Sequence, residues 1–91
     1  MSFFENFADK VSKKYEDMYY RATGNNFNSD FRKFQMNFEY KENFELLNMW
    51  NDYIDNRNIR DYAKAMAIKS IMDKRGIEYD NYWGIYNGFF Q

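Results

Sequence analysis

The chain has no histidine, no cysteine and no proline, and only four glycines among its 91 residues. Each absence excludes something. Without histidine there is no side chain whose ordinary proton affinity lies near neutral pH, so acid–base work would fall to carboxylates or lysines tuned by burial. Without cysteine there are no disulfides, no thiolate metal sites and no thiol nucleophile. The glycines stand at 24, 76, 84 and 88 with no Lys-Ser or Lys-Thr after any of them, which excludes a phosphate-cradling loop. One-sided charge is missing too: 13 Lys/Arg against 14 Asp/Glu leave a net −1, a field that neither attracts nor mimics a polyanion. No stretch approaches 18 apolar residues, and the N-terminus has no basic region followed by an apolar run. The sequence thus predicts neither a membrane span nor a signal peptide and points to the cytoplasm. No enzyme, no cofactor and no metal is expected.

What is present is aromatic: ten Phe, nine Tyr and two Trp. A ring that buries ~200 Å² at ~25 cal/mol per Å² offsets the ordering of about three residues, so a chain of this length needs most of its rings inside. Any ring it cannot bury becomes a candidate for recognition. Twelve Asn alongside 19 Phe and Tyr, with no Pro, match an AT-rich coding sequence of the kind found in low-GC bacteria and their phages.

The apolar spacing is mostly helical. Ser2 and Glu5 fit a capping box, and Phe3, Phe7, Val11, Tyr15, Met18 and Ala22 recur at intervals of four and three, so a helix is predicted over 3–22 with Gly24 as a left-handed stop. Asn28 or Ser29 would cap the next element, behind Phe27, the one ring of a polar loop. That element fits two periods. Phe27, Phe31, Phe34 and Phe38 keep helical spacing, whereas Phe34, Met36, Phe38 and Tyr40 alternate with polar residues as a strand would. A helix over 29–39 is favoured, because a lone strand needs a partner. Asn43 would cap a helix over 44–55, with Phe44, Leu47, Trp50 and Ile54 on one face and Leu46, Met49 and Tyr53 beside it. Asn58, with Asp61 three residues on, would start a helix running from Ile59 to Arg75 and ending at Gly76. Its Ala63, Ala65 and Ala67 keep it narrow enough for close approach.

The expected fold is therefore all-α: a single domain, residues 1–91, forming a bundle of four to five short helices. The alternative is α+β, with a short strand near 34–40 paired to the C-terminal segment.

Motifs for chemistry are weak. Glu42 with Glu45, and Asp52 with Asp55, set carboxylates three apart, which reads as a solvated helix face. Asp55-Asn56-Arg57-Asn58 lacks the acidic third position and the glycine of a calcium loop. Residues 59–76 carry five cations against two anions, so Arg57, Arg60 and Lys64 could follow phosphates; a helix-turn-helix register fails because it buries Asp73. A protein partner fits better. Tyr82, Trp83, Tyr86 and Phe89 in the ring-rich tail would be apolar anchors, with Arg57, Arg60 and Lys64 steering an acidic partner. Such a patch would invite self-association, making a homodimer a natural by-product. Size and composition are those of small phage and plasmid products that clamp onto a host enzyme or defence complex and block it. The expected function is therefore a non-catalytic protein-binding module of that type, with a helical nucleic-acid-binding protein using 59–75 as the alternative.

Overall fold

A computed structural model describes the backbone of residues 3–56 and 58–79 and the side chains of 13–53 and 58–79. Helix α1 spans Phe3–Thr23, α2 Phe27–Phe38, α3 Asn43–Asn56 and α4 Tyr62–Arg75, with a 3-10 turn at Ile59–Asp61 leading into α4. There is no strand among the described residues, so the fold is all-α and residues 34–38 are helical. The Ser2–Glu5 capping box, Ile54, Arg57 and the tail beyond Tyr79 lie outside the described side chains.

Where the helices stop follows the sequence closely. Gly24 and Gly76 both take left-handed torsions, φ +75° and +70°, which only glycine adopts without strain. The start of α1 at Phe3 also agrees, whereas those of the later helices shift. The cap of α2 is Asn26, whose Oδ1 accepts from the Ser29 amide at 3.1 Å, so the helix begins at Phe27, two residues before the predicted position. That earlier start carries the Phe27 ring into the core on the first helical turn. Asn43 does not act as a detached cap: it is the first helical residue, Glu42 O accepts the Leu46 amide at 3.1 Å, and the Asn43 side chain turns to Arg75. Asn58 does cap, accepting from the Arg60 amide at 3.0 Å, but what it starts is the 3-10 turn. Asp61 makes no side-chain cap bond.

Helix α4 is the centre of the bundle. Tyr62, Ala63, Ala65, Ala67, Ile68, Ile71 and Met72 are all buried, and they surround the helix instead of forming one stripe, as a helix enclosed by neighbours requires. Helix α2 shares the most extensive interface with it and α3 the next. Ring stacking ties α1 and α2 to its start. Tyr62 lies between Tyr15 at 5.1 Å and Phe27 at 5.0 Å, and Tyr19 meets Phe27 edge-on at 6.0 Å. Polar contacts fix the registers: Tyr19 OH donates to Asp30 at 2.6 Å, and Gln35 Nε2 donates to Ser70 Oγ at 2.9 Å.

Helix α3 presents a different face from the expected one. Leu46 and Trp50 are fully buried, with Tyr53 partly covered, while Phe44 is 59% exposed. Trp50 belongs to both faces; the observed one turns about it to cover Leu46 fully and Met49 and Tyr53 in part, and leaves Phe44 out.

Candidate protein-docking surface

The alternation at 34–40 resolves into two faces of one helix. Phe34 and Phe38, four apart, stack at 5.8 Å and pack against the core. Met36, on the other side, is 70% exposed, and Tyr40 is 90% exposed. Arg32 and Lys33 share the outer face, and neither makes an ion pair among the described residues. Large apolar side chains thus sit in solvent beside two unpaired cations, in a chain that needs its rings inside.

The end of this face is held by a residue from far along the chain. Arg75, in the last turn of α4, donates through Nη2 to Glu39 O at 2.7 Å. Through Nη1 it donates to Lys41 O at 2.8 Å and to Asn43 Oδ1 at 3.0 Å. The planar fork of guanidinium donors suits such a set of acceptors, and it satisfies carbonyls that the end of α2 leaves without helical partners. Lys41 N also bonds to Phe38 O at 3.0 Å. The turn carrying Tyr40 and leading to Phe44 is consequently fixed before any partner arrives. The Lys41–Glu45 ion pair at 3.7 Å is exposed and adds little.

Of the residues singled out in the sequence, Tyr82, Trp83, Tyr86, Phe89 and Arg57 lie outside the described residues. Arg60 is exposed on the 3-10 turn. Lys64 is half-buried, its ammonium 5.4 Å from the centre of the Phe34 ring, so its charge is already engaged. Arg60 and Lys64 are therefore not two equivalent steering charges. Sequence reasoning passed over Arg32, Lys33 and the exposure of Met36 and Tyr40. The signal was present in the four-residue spacing of Met36 and Tyr40, opposite the ring face.

A second cluster sits in the last two turns of α4 and the segment after it. Lys69 Nζ pairs with Asp73 at 2.9 Å, Tyr79 OH donates to the same carboxylate, and the Tyr79 ring meets Trp50 edge-on at 5.2 Å. Burial pushes the Asp73 carboxyl up, but the bonds from Lys69 and Tyr79 outweigh it and hold the group below its usual value. Burial pulls Lys69 down, and its bonds to Asp73 and Tyr79, together with the charge on those groups, more than reverse that. Burial, then the bond to Asp73, raises Tyr79. These shifts are those of a closed set of partners that latches residue 79 onto α3 and α4.

An open cleft of about 240 Å³ between α1 and the start of α2 is lined by Lys13, Glu16, Asp17 and Tyr20 among others, so charges of both signs mix there without converging. Among the described residues no group of three or more potential ligands could hold a metal ion, and no helix is long and apolar enough to cross a membrane. The chain matches no protein-family model, no curated protein and no solved structure, so the outer face of α2 and its clamped turn are read on their own residues.

Proposed function

We propose that this protein is a non-catalytic protein-binding module, acting in the cytoplasm, whose docking surface is the outer face of α2 with the turn that follows it. The observation that carries the reading is the exposure of Met36 on α2 and of Tyr40 on the turn that the Arg75 fork bonds at both sides. Exposed aromatic and Met side chains flanked by Arg are the composition of interface anchors, and a prefixed turn reduces the ordering cost of association. Tyr82, Trp83, Tyr86 and Phe89 enter as a second set of anchors, and Arg57 and Arg60 as steering charges, on the strength of the sequence. The biological form we favour is a stoichiometric inhibitor of phage or mobile-element type that covers a host protein's surface; its support is the AT-rich composition and small size.

The test is affinity capture from cells of the source organism followed by mass spectrometry, comparing the unaltered chain with M36A/Y40A and with W83A/Y86A. A partner lost in M36A/Y40A with helical circular dichroism intact supports the reading. A partner retained at equal yield removes α2 from it.

A nucleic-acid role for 59–75 has less support. Lys64 lies over Phe34, Lys69 is paired with Asp73, and Arg75 is committed to the turn, which leaves Arg60 and Lys74 as the helix's cations without a described partner. Binding that weakens steeply with salt and falls on R60A would reinstate it.

A further inference from the structure

Residues seven apart on an α-helix lie almost in line, since seven residues fall only about 20° short of two full turns. On the outer face of α2 this places Arg32 and Glu39 on one flank of Met36, and Lys33 and Tyr40 on the other. Glu39 keeps helical torsions, φ −60° and ψ −28°, so the helical path continues past Phe38. All five residues are exposed, and Glu39, like Arg32 and Lys33, makes no ion pair among the described residues. The face is thus polar along its length: cations at one end, a carboxylate and a ring at the other, and Met36 midway.

A surface with that pattern is complementary to itself turned end over end. Resting on the reading of this face as a docking surface, we infer that its occupant is a second copy of this chain, the two α2 helices antiparallel about a two-fold axis at Met36. In an antiparallel pair each flank meets the same flank of its mate. Arg32 then faces Glu39 of the partner subunit, Lys33 lies over the ring of Tyr40 of the partner subunit, and Met36 meets Met36 of the partner subunit. Symmetry makes each flank contact twice.

Other occupants fit less well. A nucleic acid would bring phosphates against Glu39 as well as against the cations. A parallel pair would bring the opposite flanks together and set Arg32 against Lys33 of the partner subunit, cation against cation. The Arg75 fork holds the backbone at Glu39, which positions the acidic end in advance. The face spans roughly three helical turns, a small interface of the kind found in transient, reversible association.

Sedimentation of the full chain from micromolar to millimolar concentration tests this directly. The weight-average mass should climb from 11.3 kDa toward twice that value. R32E and E39R, each placing like charges on one flank, should weaken self-association about tenfold or more. The double variant R32E/E39R should restore it, and an equimolar mixture of the two single variants should pair more tightly than either alone. M36K, which puts two ammonium groups at the axis, should abolish it and serves as the check if a charge reversal unfolds by circular dichroism. A chain that stays monomeric throughout, or a dimer indifferent to all these changes, overturns the pairing. If a monomeric chain still loses its captured partner in M36A/Y40A, the pairing fails while the docking surface stands; if that capture is also unaffected, both fail.

Discussion

The Arg75 guanidinium donates to the carbonyl of Glu39 at 2.7 Å across 36 residues of sequence, joining the end of the fourth helix to the end of the second. With Lys41 O and Asn43 Oδ1 as further acceptors, one side chain replaces the helical partners that this turn lacks. Because the contacts are exposed, water competes for them. Arg75→Ala should cost only about 1 kcal/mol in urea unfolding, yet amide exchange at 39–43 should accelerate sharply. Arg75→Lys should recover little, since an ammonium cannot span the same acceptors. Unchanged exchange in the turn would show that the fork does not hold it.

Tyr62 is the ring on which two other helices converge, between Tyr15 and Phe27. Tyr62→Ala should cost about 3–5 kcal/mol, a large part of the stability of any small domain. Tyr62→Phe keeps both stacks and should cost much less. Denaturant midpoints by circular dichroism distinguish the two, and equal losses would mean that the hydroxyl, not the ring, carries the contact.

Gly76 offers a clean measure of backbone strain. A Cβ there meets no atom within 4 Å, so nothing but the left-handed torsion, φ +70°, opposes a side chain. Gly76→Ala should destabilise by about 1–2 kcal/mol, and Gly76→Asn by less. Gly24, at φ +75° and equally open, should behave alike. A thermal scan in which Ala is neutral at both positions would contradict the torsional account.

Alkaline pH should unfold the protein by a route that neutral pH does not touch. Burial first, and then its bond to Asp30, hold the Tyr19 hydroxyl well above the usual value of 10.0; Tyr53 and Tyr79 shift the same way, burial again leading. A group that binds its proton more tightly when folded contributes fully below its unfolded value and loses that contribution as pH rises toward the folded one. Stability should therefore hold to about pH 10 and fall above it, with tyrosinate absorbance and loss of helix rising together. Tyr19→Phe should blunt the fall. Asp73 has the opposite sign, its support fading as pH drops below the ordinary carboxylate range, and its exposure keeps that effect small.

Legibility tracked the range of the forces involved. The stripe from Tyr15 to Ala22, the stops at Gly24 and Gly76, and the narrow alanines of α4 were readable because helical spacing and left-handed glycine act within a few residues. The cap of α2 was misplaced by two residues, since Asn26, Asn28 and Ser29 have nearly equal capping tendency and only the burial of Phe27 separates them. On α3 several apolar residues compete for the inside, and since Trp50 belongs to either face, the choice of Leu46 over Phe44 falls to packing against the other helices. The candidate site was readable least. Phe34, Met36, Phe38 and Tyr40 alternate as a strand would, and only on a helix, where Phe34 and Phe38 extend the stripe of Phe27 and Phe31, do Met36 and Tyr40 fall together on the outside.

The helical character of the chain, the ends of its first and fourth helices and the need to put most rings inside all follow from neighbours along the backbone and from total apolar area. The three-dimensional packing puts α4 at the centre, over Phe34 and Phe38. It alone leaves Met36 and Tyr40 in water and brings Arg75 to the carbonyl of Glu39. Those outcomes depend on contacts between residues more than thirty apart, where packing of whole helices outweighs any local preference.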